Sequence, residues 1–154
     1  MANLRAVKRV IAVAGVLALV PAAVASAKYE SGTYSGNTKV QKLRVHFRAT
    51  QSRLSKLSIR VKFTCTDGDS FTKTLADWDP QNISGTGRYD ASFEGTSKAS
   101  SYRHRGRIVN RTATGTFTGS QRFNADNQLD PKGAIVCRTG TLRYSIKKFV
   151  AKRR

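Results

Sequence analysis

LRVHFRATQSRLSKLSIRVKFTC, residues 43–65, is the stretch that decides the fold. Leu43, Val45, Phe47 and Ala49 alternate with Lys42, Arg44, His46 and Arg48. After a turn near Gln51–Arg53, Leu57, Ile59, Val61, Phe63 and Cys65 alternate with Ser58, Arg60, Lys62 and Thr64. Successive side chains of a strand point to opposite faces, so each run predicts a strand with one buried and one wet face. A short polar connection between two such runs predicts a hairpin.

Outward from this hairpin the alternation continues, and no segment carries a helical stripe. Tyr29–Gly36 reads as a first strand, and Ser70–Leu75 follows the Asp67-Gly68 turn signal. Asp77–Ser84, with Pro80 and the single tryptophan, reads as a loop. Gly87, Tyr89, Ala91 and Phe93 mark another strand, ended by Gly95. Tyr102–Val109 and Thr112–Gln121 form a second hairpin around Asn110-Arg111, since Asn tolerates the left-handed conformation of tight turns. Asn124–Lys132 is a polar loop, and Ile135–Ile146 closes the domain. Within that last segment Cys137 has odd parity, whereas Leu142, Tyr144 and Ile146 have even parity. Burying all four requires one extra residue, and Thr139-Gly140 is the natural place for a β-bulge. The prediction is an all-β fold, a single antiparallel β-sandwich or small closed barrel of about eight strands.

The chain opens with an export pattern. Arg5, Lys8 and Arg9 precede the apolar run Val10–Val20, Pro21 breaks any helix, and Ala25-Ser26-Ala27 offers a cleavage site. The apolar run is shorter than the roughly 20 residues of a spanning helix, so no transmembrane span is expected after cleavage. Residues 1–27 therefore read as a Sec-type signal peptide and 28–154 as one basic β-domain, secreted or held at the cell envelope. A domain of 127 residues is enough for one core.

The full chain carries a net charge of +19, and removal of the signal leaves 25 basic against nine acidic residues, or +16. Such a field opposes self-association, predicting a monomer, and attracts anionic partners. Cys65 and Cys137 are the only cysteines. In an oxidising compartment an even pair predicts a disulfide.

Three short patterns carry a family resemblance: Gly32-x-Tyr34-x-Gly36, Phe63-x-Cys65, and Cys137-x-Thr139-Gly140. Together they resemble a group of small exported β-proteins of high-GC Gram-positive bacteria. That resemblance implies export, all-β structure and the disulfide, and brings no active-site residues with it. The glycine–aromatic start is also similar to lipocalin- and avidin-like barrels, which place Trp where this chain has Tyr34.

Catalytic patterns do not survive inspection. Ser70-Phe71-Thr72-Lys73 matches S-x-x-K, but that motif needs a helix to return the lysine to the serine, and here it lies in a strand. Asp90 and Glu94 lie four apart on a strand, as random polar faces often place them. Asp67, Asp69, Asp77 and Asp79 flank turns without the glycine and bidentate glutamate of a calcium loop. His46 and His104 read as solvated surface histidines on basic strands. No catalytic, cofactor or metal residues are expected.

The basic faces are the functional lead. Lys42, Arg44, Arg48, Lys56, Arg60 and Lys62 share the outer side of the first hairpin, and Arg103, Arg105 and Arg107 form a second same-face row. Like charges across strands repel, so such ladders call for solvent, counter-ions or an anionic partner. These nine residues are the candidates for binding anionic envelope polymer or an acidic surface. No recognition motif for specific nucleic-acid sequences accompanies the charge. The leading expectation is a non-catalytic electrostatic binder. The alternatives are a barrel enclosing a small apolar ligand, and a secreted enzyme or inhibitor.

Overall fold

The computed structural model describes residues 29–150 apart from 77 and 96. The export signal read at 1–27 lies outside these residues. Ten strands lie among the described residues: β1 Gly32–Asn37, β2 Arg44–Ala49, β3 Arg53–Cys65, β4 Ser70–Leu75, β5 Gln81–Asn82, β6 Arg88–Glu94, β7 Ser100–Val109, β8 Thr112–Phe123, β9 Ile135–Arg138 and β10 Leu142–Lys148. The count exceeds eight because the last segment is split into β9 and β10, and because the tryptophan loop contributes the two-residue β5. The first strand also starts later than predicted, at Gly32. Tyr29 instead donates from its hydroxyl to the carbonyls of Thr50 and Gln51.

All pairings are antiparallel, and β1, β2, β3, β9, β8 and β10 join in a closed ring. The fold is therefore a barrel and not a sandwich. Outside the ring, β7 and β6 extend from β8, and β4 and β5 pair with β3. Two short seams complete the closure. At one, β3 meets β9 through Thr64–Arg138 and Cys65–Cys137; at the other, β1 meets β10 through Tyr34–Lys148 and Ser35–Lys147. Between the β2 and β9 pairings on β3, Gln41 replaces a strand. Its side-chain oxygen accepts from the Lys62 N–H at 2.9 Å and its amide donates to the Lys62 carbonyl at 3.3 Å.

Two irregularities set which residues face inward. Strand β3 buries both Leu54 and Leu57, which have opposite parity, and its register against β2 shifts between His46 and Arg48. Lys56, at φ 52°, absorbs the extra residue. The second irregularity is the one predicted at Thr139-Gly140. Gly140 turns at φ 65°, and Cys137, Leu142, Tyr144 and Ile146 are all buried. Thr139 joins the break to β8, donating its N–H to the Gly119 carbonyl and accepting from the Gly119 N–H. The β7–β8 hairpin turns at Asn110, φ 51°.

Aromatic rings fill the interior. Tyr34, Phe47, Phe63, Phe117 and Tyr144 are fully buried, with Tyr34 stacked on Phe47 at 5.4 Å and Phe63 on Phe71 at 5.0 Å. One inward row runs Tyr89–Gly106–Gly115–Tyr144 across β6, β7, β8 and β10. The two glycines leave room for both tyrosine side chains, whose hydroxyls meet at 2.5 Å over them. A Cβ at Gly115 would lie 2.5 Å from the Tyr144 hydroxyl oxygen and 2.8 Å from the Arg105 carbonyl. Overpacking of this kind costs about 2 to 3 kcal/mol. Gly115→Ala should therefore lower the denaturant midpoint clearly, whereas Gly85→Ala, which meets nothing within 4 Å, should not. Equal midpoints for the two variants would mean that the tyrosines do not depend on the glycine gap.

Candidate functional site

Two polar assemblies are built on the β6–β7–β8–β10 wall, one inside and one outside. The inner one is a chain of hydrogen bonds through His104. Its Nδ1 lies 3.0 Å from Gln81 Oε1 and its Nε2 lies 2.6 Å from the Tyr144 hydroxyl, which in turn meets Tyr89. An amide oxygen only accepts, so Nδ1 carries the proton and Nε2 accepts from Tyr144. Contrary to the solvated histidine expected from the sequence, His104 is 0% exposed. Its alternation partners Arg103 and Arg105 face out, and Phe47, Tyr89 and Tyr144 surround its ring. Burial without a charged partner pushes its pKa down to about 3, so the ring is neutral at pH 7. The same burial raises Tyr89 and holds Tyr144 well above the usual phenol range. These hydroxyls are sealed from solvent, with Tyr89 3% and Tyr144 2% exposed.

The outer assembly is a groove of about 1020 Å³ crossing the four strands. Its floor is the row Tyr89–Gly106–Gly115–Tyr144. One wall is the registered row Asp90–Arg105–Thr116–Arg143, and Arg88, Arg107, Thr114 and Ser145 form the other. Lys39, whose N–H donates to the Arg143 carbonyl at 2.7 Å, closes the β10 end. The two walls stand two residues apart along each strand, about 6.8 Å, and the floor spans three inter-strand gaps, roughly 14 Å.

Charge in this groove is almost all of one sign. Asp90 is its only carboxylate among the described residues, and Arg103 holds it with two hydrogen bonds of 2.9 and 2.7 Å. That bidentate contact keeps the Asp90 carboxyl below the usual carboxylate range. Lys39, Arg88, Arg105, Arg107 and Arg143 make no salt bridge among the described residues. Arg105 and Arg107 are oriented through Nε, which donates to Thr116 Oγ1 at 3.3 Å and to the Thr86 carbonyl at 3.2 Å.

The predicted arginine row is thus real and divided in role. Arg105 and Arg107 stand on opposite walls, while Arg103 is paired with Asp90 and lies beyond the groove. The first-hairpin cations are more dispersed. Arg44, Arg60 and Lys62 are exposed on the outer face, Lys62 opposite Thr72 and Arg60 opposite Thr74 on β4. Arg48 pairs with Ser55 beyond the register shift, Lys56 sits in the bulge, and Lys42 lies in the β1–β2 connection at φ 55°. His46 is half-buried, facing Ser35 and Ser58, with its Nδ1 unpartnered among the described residues. Lys39, Arg88 and Arg143 were not singled out from the sequence. The regular threonines at 112, 114, 116 and 118 were the available signal, because they mark a polar face continuous with the arginine row.

Cys65 and Cys137 form the predicted disulfide. The structure thereby defines a closed, disulfide-bonded antiparallel β-barrel with a cationic groove on its outer wall. Comparisons of the chain with protein-family models, with curated proteins and with solved structures gave no match.

Proposed function

We propose that this is an exported, non-catalytic barrel protein that binds anionic polymer of the cell envelope or extracellular space through its outer surface. The observation that carries this reading is the groove, where, among the described residues, five cations without a salt-bridge partner face a single carboxylate already held by Arg103. Arginine forks suit phosphate, sulfate and carboxylate oxygens, and the threonine hydroxyls beside them add neutral donors. The exposed cations of the first hairpin extend the positive field to a second face. Export is supported by the pattern at residues 1–27 and by the disulfide.

Binding is favoured over catalysis because the buried His104, Tyr144 and Tyr89 cannot reach a substrate at the surface. The alternative of an apolar ligand inside the barrel loses support for a related reason. Tyr34, Phe47, Tyr89, His104 and Tyr144 fill the core in a contiguous set of ring contacts, and Phe117, packed on Tyr102 and Trp78, is fully buried as well.

The test is retention of the folded, disulfide-bonded protein on anionic polymer across a salt series. The apparent association constant should fall steeply with salt, as counter-ions released on binding are returned. Replacing Arg105, Arg107 and Arg143 together with Ser should reduce the slope of log K against log salt by about two, near 0.7 per lost contact to a linear polymer. Retention insensitive to both salt and the substitutions would remove this reading.

A further inference from the structure

We propose that the groove binds one class of polyanion: a linear phosphodiester polymer without aromatic or ring-stacked units, lying across the strands. This rests on the polyanion-binding reading above and narrows it. Two features of the groove support the narrowing.

The first is the disposition of its cations. Four of the five are arginines, set on both walls of a channel only two residues wide. Arg88 and Arg107 are directly opposed across β6 and β7, a like-charge pair that an anion lying between them would relieve. A strand of tetrahedral phosphodiesters presents non-bridging oxygens to both sides of its axis, so a chain along the floor meets forked donors on either wall. A pendant carboxylate offers both its oxygens to one wall only, so forks on two walls favour the phosphodiester, and an ammonium, a point charge, removes that distinction. Arg105 and Arg107 are already fixed through Nε, leaving their terminal nitrogens to face the ligand.

The second feature is what stands between the cations. Thr114, Thr116 and Ser145 provide short hydroxyl donors, and the tyrosines of the floor turn their rings inward. Single-stranded nucleic acids are held by stacking bases on exposed aromatic rings. Neither wall offers one. The chemistry recognised is therefore the repeating phosphate with a small, flexible polyol spacer.

Poly(glycerol phosphate) is the direct probe, with poly-glutamate of matched length and oligo-dT as comparisons, each measured by equilibrium binding to the folded protein. Poly(glycerol phosphate) should bind at least tenfold more tightly than either comparison polymer. The informative variant is Arg105→Lys, Arg107→Lys and Arg143→Lys combined, which keeps the charge and removes the forks. It should retain the salt dependence but lose most of the preference for poly(glycerol phosphate) over poly-glutamate. As a control, Arg44→Ser, Arg60→Ser and Lys62→Ser combined should weaken all three polymers alike and leave the preference in place.

A lysine variant with unchanged preference would overturn the groove assignment while leaving polyanion binding intact. Tighter binding of oligo-dT would reassign the groove to nucleic acid and equally overturn it. Absence of binding to any of the polymers at low salt would overturn both readings together.

Discussion

Lowering the pH from 7 to 4.5 should cost the fold roughly 2 to 3 kcal/mol, and lowering it to 3 about 4 kcal/mol, through His104 alone. The sign follows from the proton count. In the unfolded chain the imidazole takes a proton near its ordinary pKa of 6.5, but in the barrel it does so only near 3. Between those values the unfolded state binds the extra proton, so stability falls with acidification by up to about 1.4 kcal/mol per pH unit. The cause is structural. The ring is buried among Phe47, Tyr89 and Tyr144, and a proton on Nε2 would displace the one donated by the Tyr144 hydroxyl. Asp90 and Glu30, both lowered by hydrogen bonds to basic side chains, add the same sign only below their ordinary range near 4. The interval from pH 6.5 to 4.5 therefore isolates the histidine.

Denaturant unfolding at several pH values checks this, with His104→Gln as the comparison. A glutamine can accept from Tyr144 and donate to Gln81, but it does not titrate. Its stability should be nearly level across the window in which the wild-type protein loses roughly 2 to 3 kcal/mol. A wild-type midpoint that stays flat from pH 7 to 4.5 would show that the buried cluster accepts the proton after all.

His104 also marks the limit of what the chain reveals before folding. Strand existence, the two hairpins and the break at Thr139-Gly140 follow from parity, because a strand repeats every two residues and a bulge must correct any mismatch. Parity equally puts His104 opposite Arg103 and Arg105. Histidine is tolerated on either face, however, and its basic neighbours favoured the solvated reading. What resolves the question is non-local. Gln81, from a loop 23 residues away, and Tyr144, 40 residues on, satisfy its two nitrogens. The Lys56 bulge escaped for a different reason. Leu54 and Leu57 were both visible, but Leu54 adjoins the predicted turn, where an apolar residue of the wrong parity carries little weight.

The groove was half legible. Arg103, Arg105 and Arg107 share a face by simple alternation, and the structure keeps them there. Which of them is available depends on Asp90, which engages Arg103 across the β6–β7 pairing. The opposite end depends on how β10 closes against β8 and how the Lys39 loop meets Arg143. Those are long-range closures, and no local pattern encodes them. The barrel itself belongs to the same category. Alternation predicts sheets equally well for a sandwich, and only the β1–β10 and β3–β9 seams decide for closure.

Removing the disulfide should destabilise the protein by about 4 kcal/mol and open the β3–β9 seam in particular. The magnitude comes from the loop that the bond closes: a separation of 72 residues restricts the unfolded chain by that amount in the chain-entropy model. The location comes from how little else holds the seam. Only Thr64–Arg138 and Cys65–Cys137 pair there, assisted by Thr66 accepting from the Val136 N–H at 3.1 Å and donating its own N–H to the Val136 carbonyl. The β7–β8 hairpin, with ten registered pairs from Ser100–Gln121 to Val109–Thr112, has no such dependence. Cys65→Ala combined with Cys137→Ala should therefore lower the denaturant midpoint strongly. In native-state hydrogen exchange, the amides of Thr66 and Val136, which bond across the seam, should lose protection before those of β7 and β8. Uniform loss of protection along both regions would mean that the bond acts only on the unfolded chain. Preferential loss at Thr66 and Val136 identifies it as the tie that keeps the ring closed.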